Sequence, residues 1–396
     1  MWDSAPPLSV LESSISNPES PIGMRMRAAY FLKQLYSNAS TGSNDSSSDV
    51  QQRVIASLTS GLKDTHHGSL MRHEYAYVMG QLGDERCCPV LEQILENDHD
   101  CAMVRHEAAE ALAAIGFDKS RSVLQRTLLH SQEQQQIEVY ETCLLALNVM
   151  DWRLQNKDKN ETTAETNFKT EAPVGCACML NPYSSVDPAP PHPAHANLSF
   201  EELGDILCNP DRSIFDRYRA MFSLRNRGGE PAVLQLCRAL DDDLRKHTSA
   251  LLRHEVAYVL GQLQHPASVQ ALEQSLRCTR EHMMVRHEAA EALGAIMEGA
   301  WDQVEPILKE FQNDPNPVVR ESCLVALDAA DYWGQSTTND DNSPQQHDNN
   351  HENKETTSTF AQEKALATSF TTNSQDINKN QAILNQHFNI QPNTGD

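Results

Sequence analysis

Hydrophobic positions recur with a helical period through most of this chain, and the pattern itself repeats. In MVRHEAAEALAAI (103–115) a helix turning ~100° per residue brings Ala108, Ala111, Leu112 and Ile115 within roughly 80° of Val104. That stripe is the face a helix buries against its neighbour. On the same projection His106 falls about 200° from Val104 and Glu107 about 300°. The pattern therefore predicts His106 on the face turned away from the packed stripe, with Glu107 on its flank.

MVRHEAAEAL recurs unchanged at 284–293, and LMRHEYAYVMGQL (70–82) matches LLRHEVAYVLGQL (251–263) at ten of thirteen positions. The offset is 181 residues both times, which implies a tandem duplication. Within each half a shorter frame, Arg-x-x-Ala-Ala-x-x-Leu in its fullest form, is met by RMRAAYFL (25–32), RHEYAYVM (72–79), RHEAAEAL (105–112) and YETCLLAL (140–147). RYRAMFSL (217–224), RHEVAYVL (253–260), RHEAAEAL (286–293) and RESCLVAL (320–327) follow in the second half. The expectation is an all-α fold: an α-solenoid of eight HEAT-like helical-hairpin repeats in two pseudo-symmetric halves.

Three stretches break the pattern. Residues 38–49 are Ser/Asn/Asp-rich and predict an inserted loop, and residues 152–197 begin polar and end in NPYSSVDPAPPHPAHA, predicting a linker. Residues 334–396, rich in Asn, Gln, Thr and Ser, predict a disordered tail. The repeat halves are thus expected at 1–151 and 198–333.

Charge narrows the partners. Lys and Arg total 32 against 55 Asp and Glu, a net charge of −23, which argues against nucleic acid or an anionic membrane and favours a cationic partner. The start MWDSAPPLSVLESS lacks a basic and then apolar leader, and no run of about 18 apolar residues occurs. A soluble, cytoplasmic protein is expected. Ten cysteines without a CxxC pair predict reduced, structural thiols.

Candidate chemistry sits in the central units alone. After the frame Arg they carry His73-Glu74, His106-Glu107, His254-Glu255 and His287-Glu288. The outer units carry Met26-Arg27, Glu141-Thr142, Tyr218-Arg219 and Glu321-Ser322 instead, so the solenoid frame does not itself require His-Glu. Four imidazoles and four carboxylates offer mixed N/O ligation without thiolate, the donor set of first-row metals with open positions. A zinc-protease helix is excluded, since the residues four after the histidines are Tyr77, Glu110, Tyr258 and Glu291. Tyr77 and Tyr258 are candidates to support bound species or close the pocket, and Glu110 and Glu291 to stand in solvent or behind the ligands. His66 and His247, also 181 apart, are expected at the surface, with a supporting role as the alternative. At this level a dinuclear oxygenase, a dinuclear hydrolase and a non-enzymatic scaffold binding metal or a basic peptide all remain open.

The placed His-Glu pairs, EAAEAL after both second ones, and NPYSSVDPAPP together resemble the deoxyhypusine hydroxylase (deoxyhypusine monooxygenase) family over about residues 17–333. The resemblance implies two iron ions, O2 as co-substrate and an external reductant. The implied substrate is the deoxyhypusine side chain of eukaryotic translation initiation factor 5A, hydroxylated to hypusine by a chain that is expected to be a monomer. It also implies His73, His106 and Glu107 as ligands of one iron and His254, His287 and Glu288 of the other. Glu74 and Glu255 are left to complete coordination or to bind the substrate's ammonium groups. Substrate binding is preferred, because eight ligands on two six-coordinate ions leave less room for oxygen.

Overall fold

A computed structural model describes residues 6–40, 45–157, 181, 183, 185–244 and 248–338. Those residues form α-helices and short 3-10 turns, with no strand among them. In the first half the helices are α1 (Leu8–Ser16), α2 (Ile22–Ser40), α3 (Asp45–Lys63), α4 (Gly68–Leu82), α5 (Cys88–Glu96), α6 (Ala102–Ile115), α7 (Arg121–Glu133) and α8 (Ile137–Lys157). In the second they are α9 (Phe200–Cys208), α10 (Ile214–Arg227), α11 (Gly229–Arg238), α12 (Ala250–Leu263), α13 (Val269–Arg277), α14 (Met283–Ala295), α15 (Trp301–Phe311) and α16 (Pro317–Thr338). Each odd-numbered helix packs on the even-numbered one after it, and successive even-numbered helices pack side by side. That is the hairpin stacking of an α-solenoid. No described helix is long and apolar enough to cross a membrane.

Local sequence accounts for the elements. In α6 the stripe of Val104, Ala108, Ala111 and Leu112 is buried, and Gly116 ends the helix in the left-handed region at φ 71°. Ser199 and Glu202 form a reciprocal capping box on α9. The small residues set spacing: a Cβ on Gly80 would sit 2.8 Å from Cα of Ala111, and one on Gly261 3.1 Å from Cα of Ala292. These two contacts hold α4 close to α6 and α12 close to α14.

The frame arginine is a brace. Arg72, Arg217 and Arg286 each donate Nε to a carbonyl ten residues earlier, at Leu62, Leu207 and Leu276, at 2.7–2.8 Å. Arg72 and Arg286 also pair with Asp100 and Asp314, and Arg253 with Glu281, each 28 residues later. Each brace ties one hairpin to the next and satisfies the orphan carbonyls at a helix end.

The solenoid closes on itself. At one junction α8 packs on α10 and α12; at the other α16 packs on α2 and α4. There Arg27, buried, pairs with Asp328 and lies 4.7 Å from the ring centroid of Tyr332. The inner helices α4, α6, α12 and α14 therefore face one another, and the faces that the helical projection turns away from packing become interior.

Three segments depart from expectation. The 38–49 stretch is helical where described, since α2 reaches Ser40 and α3 begins at Asp45. The buried stripe of Val54, Leu58 and Leu62 propagates that helix backwards through polar residues of modest propensity. In the 152–197 stretch, α8 runs on to Lys157 and residues 185–197 pack against the second half, while 158–180 lie outside the described residues. Helix α16 continues to Thr338, and the remainder of the expected tail, 339–396, lies outside the described residues.

Candidate metal centre

The four motif histidines come from four different inner helices and form one cluster. Ring centroids lie 5.3 Å apart for His73–His106 and 5.2 Å for His254–His287, within the halves. Across the halves His73–His287 and His106–His254 are both 5.3 Å and His73–His254 is 5.9 Å. The tetrad is therefore as tight between halves as within them. All four are buried, with His106 and His287 at 0 % exposure, although the helical projection turns His106 away from the packed stripe of its own helix. Ring closure explains the burial, because each His face is covered by the opposing half.

The motif glutamates surround the tetrad. His73 Nε2 lies 3.1 Å from Glu107 Oε2 and its Nδ1 3.4 Å from Glu74 Oε1; His254 Nε2 lies 3.5 Å from Glu288 Oε2, and His287 Nε2 4.0 Å from the same oxygen. Donor atoms of His254, His287 and Glu288 fall within 4.8 Å of one another, as do those of His73, His106 and His254, and those of His106, Glu107 and Glu110. The second-half trio thus meets as one group. In the first half the donors reach toward Glu110 and across the junction to His254.

Neither ring nitrogen of His106 has a hydrogen-bond partner, although both are buried. A buried imidazole left this way costs about 1–3 kcal/mol, and metal coordination is the interaction that would satisfy it. The residues present therefore fit a metal centre.

Electrostatics point the same way. Burial works against charge on His73, but Glu107 and Glu74 outweigh it and hold its pKa at about 10. Burial, with His73 and His254 beside it, drives His106 well below the usual imidazole value. Burial followed by the neighbouring carboxylates Glu110, Glu107 and Glu288 pushes Glu255 far up, and burial with Glu107 raises Glu110 to about 8. Too many carboxylates share too little water, and either bound protons or bound cations relieve them.

The cluster floors a cavity lined by residues of both halves. Its walls include Glu74, Glu107, Glu110, Glu255, Glu288 and Asp187, and no Lys or Arg among the described residues. Tyr77 and Tyr258 stand one helical turn beyond Glu74 and Glu255, with hydroxyls 3.1 Å apart across the two halves, so both predicted supporting tyrosines line the cavity.

The profile for HEAT repeats matches residues 42–141 and 239–328, and that for the PBS lyase HEAT-like repeat matches 216–242. The chain is 38 % identical to a deoxyhypusine hydroxylase of Gibberella zeae, over 81 % of this chain and 88 % of that protein. It is 39 % identical to that of Mus musculus, over 82 % and 92 %. Among solved structures it matches human deoxyhypusine hydroxylase in complex with glycerol at 38 % identity and a TM-score of 0.66, covering 82 % of this chain and 96 % of that one. The chain belongs to the deoxyhypusine hydroxylase family.

Several residues of this deoxyhypusine hydroxylase family member escaped the sequence reading. Tyr30 donates its hydroxyl to Glu74 Oε2 at 3.1 Å and lines the cavity. Ser185–Pro188 cross the mouth as a strap: Asp187 takes a bidentate pair from the buried Arg225 at 2.7 and 2.6 Å, and Arg225 lies 4.9 Å from the ring centroid of Tyr183. Gln81 accepts from the Val186 amide at 3.3 Å, and Gln262 donates to Ser185 Oγ at 3.1 Å. The duplicated GQL was the available signal, since glutamines 181 apart serve one strap. Glu291 is buried, accepts from Ser322 at 3.2 Å and lies 3.6 Å from His287 Nδ1, so it stands behind a ligand candidate rather than in solvent. His66 is exposed beside Asp64, and His247 lies outside the described residues. Cys87, Cys88, Cys143 and Cys323 are buried free thiols, as expected of structural cysteines.

Proposed function

We propose that this chain is a metal-dependent enzyme that hydroxylates the deoxyhypusine side chain of eukaryotic translation initiation factor 5A, using two iron ions, O2 and an external reductant. The observation that carries the reading is the buried His tetrad ringed by carboxylates, with both nitrogens of His106 unsatisfied. The names of its relatives support the substrate. His73, His106 and Glu107 would hold one iron and His254, His287 and Glu288 the other. When bound, the irons supply the activation of O2 needed to insert one oxygen atom into a C–H bond.

The protein's own groups do the rest. Glu74 and Glu255 face the cavity beside the tetrad and bind the substrate's ammonium groups; a charge-assisted N–H···O bond is roughly twice as strong as a neutral one. Tyr30 fixes the Glu74 carboxylate by its hydrogen bond. The Tyr77–Tyr258 bridge and the strap narrow the mouth and hold water out, which strengthens each charge interaction inside.

Incubating iron-loaded protein with deoxyhypusine-bearing factor, O2 and a reductant should add the mass of one oxygen atom to the factor. Two irons per chain should accompany activity. No mass gain from iron-loaded protein would refute the proposal, and zinc in place of iron would favour a hydrolase or a structural site.

A further inference from the structure

The ligand candidates, the motif glutamates and the Tyr77–Tyr258 pair are duplicated at an offset of 181, but the strap exists once. A twofold site covered by a single-copy element cannot open equally on both sides.

Exposure along the two duplicated helices locates the opening. On α4 and α12 the histidines are buried, at 4 % and 5 %, while Tyr77 and Tyr258, one turn further on, are half-buried. The next turn breaks the symmetry. Gln262 is fully covered, donating to Ser185 and accepting from Arg225 at 3.0 Å, whereas Gln81 stays half-buried. A second, independent difference agrees with the first. Glu110 is half-buried and lines the cavity, while its counterpart Glu291 is buried and engaged by Ser322.

We propose that the strap makes the duplicated site one-sided: it seals the mouth over the second half, the substrate's cationic aminoalkyl chain enters along the first half between Tyr77 and the strap, and Glu110 receives an ammonium there. This rests on the functional reading above, which supplies the chemistry of the chain. The position suits the role, because Glu110 lies one turn beyond Glu107 on α6 and lines the cavity together with Tyr77 and the strap residues Val186 and Asp187. The strap's own carboxylate is not available for it, since both oxygens of Asp187 are taken by Arg225. Glu138 and His282, 3.9 Å apart at the N-terminal ends of α8 and α14, lie outside the cavity lining and serve as the comparison.

The test compares Glu110→Gln with Glu138→Gln in iron-loaded full-length protein. KM and kcat for the deoxyhypusine-bearing factor are measured at low and high salt, together with iron content and calorimetric binding of a peptide containing N-ε-(4-aminobutyl)lysine. Glu110→Gln should raise KM and the peptide Kd about tenfold, as expected for one lost charge-assisted bond. Iron content and kcat should stay within twofold, and the effect should shrink at high salt. Glu138→Gln should move KM less than twofold. An unchanged KM in Glu110→Gln, or a larger effect in Glu138→Gln, overturns the proposed route. Iron loss in Glu110→Gln makes that residue a ligand and overturns its role as receptor. Wild-type protein that neither binds the peptide nor turns over the factor overturns the functional reading, and this inference with it.

Discussion

Gly80→Ala, set against its duplicate Gly261→Ala, tests whether close helix approach positions the centre. An added Cβ at Gly80 would lie 2.8 Å from Ala111 Cα, about 0.6 Å inside ordinary contact at 3.4 Å; at Gly261 the nearest atom is at 3.1 Å, about 0.3 Å inside. Both obstacles include backbone of the partner helix, so relief requires the helices to separate rather than a rotamer to turn. Overpacking of this kind costs about 1–3 kcal/mol, while replacing a helical glycine by alanine returns about 1 kcal/mol. The net expectation is a loss of about 1–2 kcal/mol at Gly80 and about zero at Gly261. Separation matters chemically because α4 carries His73 and Glu74 and α6 carries His106 and Glu107. Urea denaturation of the metal-free proteins reads the stability, and iron titration reads the site. Gly80→Ala should bind iron more weakly than wild type, and more weakly than Gly261→Ala. A Gly80→Ala protein more stable than wild type, with full iron affinity, would refute the reasoning.

Other outcomes follow from the same geometry. His106→Ala should lose the first-half iron yet leave metal-free stability within about 1 kcal/mol, because it removes a buried imidazole without hydrogen-bond partners; Leu112→Ala should cost about 2–5 kcal/mol in the same urea experiment. Asp187→Asn should cost about 2 kcal/mol and expose the strap to limited proteolysis. That is less than the 3–5 kcal/mol of a stranded buried charge, since Gln262 and Asn226 still accept from Arg225. His195, donating to or accepting from Ser223 at 2.8 Å, is held at about 4 by burial, with His192 and Arg219 adding to it. Its folded pKa lies below the unfolded value of about 6.5, so its contribution is full above pH 6.5 and is lost as pH falls toward 4. Thermal melts should therefore lose up to about 3 kcal/mol across that window, and His195→Asn should flatten the profile.

The chain's local pattern sufficed for its helices, its repeat and its ligand candidates. The period of α6 is legible because Val104, Ala108 and Leu112 face one way whatever surrounds them, and the duplication marks which letters serve more than packing. The frame arginines were legible as a recurring letter but not as braces, since their carbonyl and carboxylate partners are set by how hairpins stack. Closure of the solenoid lay beyond the sequence: the Arg27–Asp328 pair spans 301 residues, and no local period encodes it. Closure turned the exposed His face into a buried tetrad, and it brought Tyr77 to Tyr258. The strap shows the same limit. Residues 185–188 sit in a polar stretch that runs into prolines, the composition of a linker, and only docking on Gln81, Gln262 and Arg225 makes them a wall of the site. Sequence specified the groups that could hold a metal, because side-chain chemistry and helical spacing are local; the tertiary fold decided their burial, their mutual distances and the side from which the cavity opens, because those depend on surfaces brought together from both halves.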